Sequence, residues 1–274
     1  MRLFLLLSAS FLVLASCNRN NVQEDKSLKP FFEKANVNGC FAIFDNAHGE
    51  FNIHNLKRYR DSSFSPASTF KIVSSLIGFE TGKITREDMV LPWDGKPRTR
   101  PEWNRDLRFD SAFRYSAVWY FQEVVRRVGR DTMKWYLDSL HYGNANVAGA
   151  VDSFWLNHTL KIRPDEQLGL MKMLYFNQLS YLFSNRTMNK VKEAMLAERT
   201  DKYALSYKTG YTYTEAGMPM AWIVGWIEEG VQNKPYFFVL NIEARNPDTD
   251  LLSLRITLLK DLLKHLGYMQ GKKG

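Results

Sequence analysis

The chain has 274 residues, 45% of them hydrophobic and 14% aromatic, which is enough apolar material for a core and too much for a disordered chain. Lys and Arg outnumber Asp and Glu by 37 to 29, a formal charge of +8, and apart from Lys272-Lys273 the excess is scattered along the sequence. No nucleic-acid-binding signature accompanies it, so the charge reads as solvation and not as a nucleic-acid site.

At the N-terminus Arg2 precedes an apolar run from Leu3 to Leu14 that ends in Leu14-Ala15-Ser16-Cys17. This is the pattern of a secretory signal, and the run is shorter than the ~20 apolar residues a membrane-spanning helix needs. Leu-Ala-Ser-Cys resembles a bacterial lipobox. Residues 1–16 are therefore expected to be removed and Cys17 to be lipidated, with the polar stretch 17–30 as a tether and the folded domain over 31–274. The protein is expected to be exported, as a periplasmic or cell-surface lipoprotein held at a membrane. Cys40 is then the one cysteine left for chemistry, so no disulfide is expected within the mature chain. It lies in the apolar Gly39-Cys40-Phe41-Ala42-Ile43-Phe44, where cysteine acts as a small buried hydrophobe.

Residues 39–45 and 50–54 flank the turn-rich Asn46-Ala47-His48-Gly49 and predict a hairpin. In Ser65-Pro66-Ala67-Ser68-Thr69-Phe70-Lys71 a capping serine and a proline precede an apolar-periodic run, which predicts a helix ending at Thr81-Gly82. Ser68 and Lys71 then stand at i and i+3 on one face near a helix N-terminus, where free amides favour developing negative charge. A serine hydroxyl is inert until a base takes its proton, and a lysine can serve once burial lowers its pKa.

Residues 116–128, 132–140, 164–176 and 187–197 read as helices. Residues 204–211, 221–227 and 236–242 are aromatic and β-branched runs that read as antiparallel strands. Leu251, Leu252, Leu254, Leu258, Leu259, Leu262, Leu263 and Leu266 recur at helical spacing and predict a C-terminal helix on that sheet. Both ends thus feed one sheet lobe, 31–65 with 200–274, while the middle forms a helical lobe. The expected fold is α+β, an antiparallel sheet flanked by helices, with the site in the crevice between lobes.

S-x-x-K alone is uninformative, since roughly one match arises by chance in a chain this long. Lys208-Thr209-Gly210 is rarer. Its glycine lets a ligand approach the strand, and its hydroxyl and cation suit a substrate carboxylate. Ser116-Ala117-Val118, Tyr142-Gly143-Asn144 and Trp155 lie between them. The order S-x-x-K, S-x-V, Y-G-N, W, K-T-G resembles the class D, or oxacillinase-type, serine β-lactamases. The resemblance runs from Gly39-Cys40-Phe41 to Gly210 and includes Trp93-Asp94-Gly95-Lys96, Trp103-Asn104 and Glu166-Gln167.

That resemblance implies hydrolysis of β-lactam antibiotics, with Ser68 as the acylated nucleophile and Lys71 as general base, carboxylated on its amine by carbon dioxide. Only a neutral amine adds carbon dioxide, so Lys71 must be desolvated, and Val118, Phe70 and Trp155 are the candidates for drying its pocket. It further implies that the Trp155 indole donates to the carbamate, and that the Ser68 and Tyr211 backbone amides form the oxyanion hole. Ser116 and Lys208 would relay a proton to the lactam nitrogen. Thr209, Gly210 and Arg255 would hold the substrate carboxylate, Leu254-Arg255 matching the family's Leu-Arg position better than Arg245 does. No metal and no cofactor other than carbon dioxide is implied.

Two other readings share these motifs. A penicillin-binding transpeptidase or carboxypeptidase carries Asn at the third place of the middle motif, here Val118. A non-hydrolytic β-lactam sensor sits behind several membrane helices, and the short apolar run at residues 3–14 is not expected to supply one. A class A β-lactamase needs an E-x-x-x-N pattern that Glu166-Gln167-Leu168-Gly169-Leu170 lacks. Substrate spectrum rests on loop shape around Thr99 to Arg105 and after Tyr211, and the sequence leaves that spectrum and the oligomeric state open.

Overall fold

The computed structural model describes residues 22–230 and 234–273. Residues 1–16 and Cys17, read above as signal and lipid anchor, lie outside them. The folded part starts earlier than the tether reading places it. Strand β1 (Val22–Glu24) pairs in parallel with residues 51–53, and a 3-10 turn then leads into helix α1 (Lys29–Lys34), with Leu28 fully buried. Its polar composition hides the structure because the segment contributes backbone pairing and two isolated apolar anchors, Val22 and Leu28, instead of an apolar face.

Strands β2 (Val37–Asp45) and β3 (Glu50–His54) form the expected hairpin, followed by helix α2 (Leu56–Asp61) and helix α3 (Lys71–Glu80). A two-stranded ribbon, β4 (Val90–Leu91) with β5 (Leu107–Arg108), encloses the loop over Arg100. Helices α4 (Phe109–Arg114), α5 (Val118–Val128), α6 (Arg130–Ser139), α7 (Pro164–Tyr175) and α8 (Asn185–Met195) complete the helical part.

The chain returns to the sheet through β6 (Leu196–Arg199), β7 (Tyr203–Tyr213), β8 (Pro219–Glu229) and β9 (Lys234–Ala244), and ends with helix α9 (Leu251–His265). The sheet order is β1-β3-β2-β9-β8-β7-β6, antiparallel except at β1–β3.

Alternation along the strands divides the core in two. Cys40, Ala42, Trp222, Val224, Phe237 and Val239 face the helical lobe. Phe41, Ile43, Ala221, Ile223, Phe238 and Leu240 face α1 and α9 on the other side. Both faces are covered, so β8 and β9 are apolar along nearly their whole length and lack an exposed alternate row. Helix α9 is capped by Asp250, whose carboxylate accepts from Leu252 N and Ser253 N at 3.0 and 3.3 Å.

Candidate active site

Ser68 does not sit on an α-helix. Ala67–Phe70 is a 3-10 turn that runs into α3, and Ala67 has a φ of 49°, a left-handed conformation that costs a non-glycine residue on the order of 1 kcal/mol. The expected cap at Ser65 is absent. Its hydroxyl instead donates to Trp155 O at 2.8 Å, and Ala67 N donates to the same carbonyl at 3.1 Å. Thr69 Oγ1 donates to Pro66 O at 2.7 Å and accepts from Gln167 Nε2 at 2.7 Å. These bonds hold the strained turn from three sides. In a 3-10 turn residues i and i+3 eclipse, and Lys71 Nζ stands 2.5 Å from Ser68 Oγ.

Lys71 is fully buried. Burial, reinforced by the nearby cations Lys208 and Arg100, holds its amine well below the ordinary lysine range. Lys208 is pushed down to about 7 by burial first, then by Arg255 and Arg100. Among the described residues no carboxylate pairs with either amine. Ser116 Oγ joins them, 3.2 Å from Lys71 Nζ and 3.0 Å from Lys208 Nζ. Phe121 and Phe113 place their rings 5.6 and 5.4 Å from the two ammonium positions. Ser116 has a φ of 56° and occupies the turn between α4 and α5. The helix expected to begin at Ser116 thus begins at Val118.

Strand β7 carries Lys208, Thr209, Gly210 and Tyr211 past the nucleophilic turn. Gly210 permits that approach, for a Cβ there would lie 3.1 Å from Pro66 O, 3.2 Å from Trp222 Cβ and 3.3 Å from Thr69 Cγ2. From α9, Arg255 Nη1 donates to Gly210 O at 2.6 Å while its Nε is buried without a partner. The alternative, Arg245, is bound elsewhere, donating to Asn38 Oδ1 at 2.9 Å.

Trp155 is 1% exposed and stacks on Phe70, the residue before Lys71, with centroids 5.3 Å apart. Its Nε1 is buried and has no hydrogen-bond partner, an arrangement that is rare and calls for an acceptor. The Tyr142-Gly143-Asn144 turn fixes the loop that carries it. Asn144 donates to Thr159 O and accepts from Lys161 N, both at 3.0 Å, and a Cβ on Gly143 (φ 54°) would collide with Lys161 O.

Ser68, Ser116, Val118, Thr209, Tyr211 and Arg255 line one cleft of about 330 Å³. Arg100, Glu102 and Trp103 line it too, from the loop expected to shape specificity. Arg114, Tyr115 and Leu252 also line it but escape sequence reasoning, because nothing separates them from ordinary helix-end residues. Cys40 is fully buried in the core, and burial pushes its thiol up to about 12, leaving it unreactive.

A model of the penicillin-binding protein transpeptidase domain matches residues 13–264. β-Lactamase OXA-5 of Pseudomonas aeruginosa is 37% identical over 244 residues, 87% of this chain and 90% of that protein. The class D β-lactamase YbXI from Nostoc is 37% identical and superposes with a TM-score of 0.81, covering 88% of this chain and 98% of its own. The C-terminal domain of the Bacillus licheniformis BlaR penicillin receptor is 30% identical, with a TM-score of 0.81 over 90% of this chain and 96% of that domain. The chain belongs to the class D β-lactamase family.

Proposed function

We propose that this member of the class D β-lactamase family hydrolyses β-lactams through an acyl-enzyme on Ser68, with Lys71 as base in both halves of the reaction. The observation that carries the reading is the 2.5 Å contact between Ser68 Oγ and a fully buried Lys71 amine that no carboxylate among the described residues neutralises. An ammonium so placed is disfavoured, so the amine is free to accept a proton.

Ser68 Oγ adds to the lactam carbonyl as Lys71 takes its proton. The developing oxyanion meets the backbone N–H groups of Ser68 and Tyr211. Ser116, between the two lysines, passes a proton from the Lys208 side to the lactam nitrogen as the C–N bond breaks. Arg255 and Thr209 hold the substrate carboxylate at the mouth of the cleft.

Lys71 also fits N-carboxylation. Its amine is buried and held well below the ordinary lysine range, and the unpartnered Trp155 Nε1 beside Phe70 is a donor in want of an acceptor. Carbon dioxide bound there would supply, in place of the amine nitrogen, a basic carbamate oxygen able to draw a proton from the deacylating water. Val118 and Trp155 help keep that oxygen out of bulk solvent.

The likeness to the BlaR receptor domain favours a second reading, a β-lactam sensor that is acylated and stays so. A chromogenic cephalosporin separates the two. Sustained hydrolysis at many equivalents per enzyme supports the β-lactamase; one stoichiometric burst followed by silence supports the sensor. We propose also that the chain is exported and that lipidated Cys17 ties it to a membrane, on the strength of Leu14-Ala15-Ser16-Cys17.

A further inference from the structure

The cleft holds more positive charge than one substrate carboxylate balances. Three arginines line it, Arg100, Arg114 and Arg255, against a single acid, Glu102. Arg100 is engaged. Its Nε lies 3.6 Å from Glu102 Oε1, its Nη1 donates to Tyr115 O at 3.3 Å, and its guanidinium sits 5.5 Å from the Trp103 ring centroid. Arg255 bonds Gly210 O and is the partner assigned above to the ring carboxylate.

Arg114 is different. It ends α4 and is exposed, and its side chain makes no hydrogen bond, ion pair or ring contact among the described residues. It lines the cleft that holds Ser68 and also a second cavity of about 470 Å³, which it shares with Lys208 and Thr209 and which no carboxylate lines. The two cavities therefore flank the same stretch of β7 and have in common one uncommitted guanidinium.

We propose that Arg114 and the second cavity form a subsite for a second anionic group on the substrate. Resting on the β-lactam reading above, it names a substrate class: β-lactams whose side chain carries a carboxylate or sulfonate in addition to the ring carboxylate. Arg255 and Thr209 take the first anion and Arg114 takes the second, so dianionic compounds gain an attraction that monoanionic ones lack. The ion pair sits at a solvated rim, where it is modest in strength and weakened by salt.

The test compares benzylpenicillin with carbenicillin, which differs from it by one side-chain carboxylate. Second-order acylation rates are read as kcat/KM where the compound is hydrolysed and from intact mass where the adduct persists, so the measurement holds whether or not the adduct turns over. The expected ratio of carbenicillin to benzylpenicillin rates falls about threefold to tenfold in Arg114→Gln and is largely kept in Arg114→Lys. In the wild-type protein the same ratio declines as ionic strength rises, a readout that needs no variant. A ratio unmoved by Arg114→Gln and by salt overturns the subsite and leaves acylation at Ser68 standing. Absence of both hydrolysis and an adduct with either compound overturns the β-lactam reading and the subsite with it.

Discussion

Lys208 Nζ lies 3.0 Å from Ser116 Oγ, the hydroxyl that also stands 3.2 Å from Lys71 Nζ. A single serine thus connects two buried amines that no acid among the described residues neutralises, and protons pass between the lysines by way of it or of water.

The first consequence concerns pH and stability. Lys208 releases its proton near 7 in the folded protein but near the ordinary value of 10.5 when unfolded. Below about 7 both states hold the proton and the cost of burying the ammonium is felt in full. Between the two values the unfolded chain binds more protons, so stability rises with pH. The urea midpoint of the wild-type protein is expected to climb between pH 7 and 9 relative to that of Lys208→Met. Parallel pH profiles for the two proteins would contradict this.

Gly210→Ala tests the abutment of β7 on the nucleophilic turn. The added methyl meets Pro66 O, Trp222 Cβ and Thr69 Cγ2 at 3.1–3.3 Å, so strand and turn must separate by a few tenths of an ångström. Overpacking of this kind costs about 1–3 kcal/mol, and misplacing Ser68 lowers kcat/KM by about tenfold or more. Wild-type kcat/KM in a variant with unchanged Tm counts against the arrangement.

Gln167→Leu removes the donor to Thr69 Oγ1 beneath that turn. Loss of the buried bond is expected to cost about 1–3 kcal/mol in urea denaturation and to lower kcat more than it raises KM, because Gln167 touches the turn and does not line the cleft. An effect confined to KM would show that it acts on binding instead.

For the anchor, Cys17→Ala is expected to shift the protein from the membrane fraction to the soluble exported fraction. Equal membrane association of variant and wild type excludes lipidation at Cys17 as the tie.

Much of the fold was legible because β8 and β9 are buried on both faces, β7 is rich in aromatic residues, and α9 repeats leucine at helical spacing. What escaped lacked a pattern to read. Leu196–Arg199 is a four-residue edge strand whose sequence continues the helical run before it. Val22–Glu24 is only three residues long with two of them polar, and its place in the sheet depends on partners about thirty residues away. At the site, motif order brought Ser68, Lys71, Ser116 and Lys208 together. The left-handed backbone of Ala67 and Ser116 carries no glycine to announce it, so the 3-10 turn and the late start of α5 were invisible. Arg114 and Leu252 reach the cleft only through tertiary packing.

The most direct test is the bicarbonate dependence of steady-state turnover, measured beside the Lys71→Ala variant. If Lys71 works as its carbamate, activity falls in mildly acidic, bicarbonate-depleted buffer and returns on adding bicarbonate, and Lys71→Ala accumulates the Ser68 acyl adduct without releasing it. Turnover indifferent to bicarbonate and to mild acid, or a Lys71→Ala enzyme that deacylates at the wild-type rate, would contradict the account.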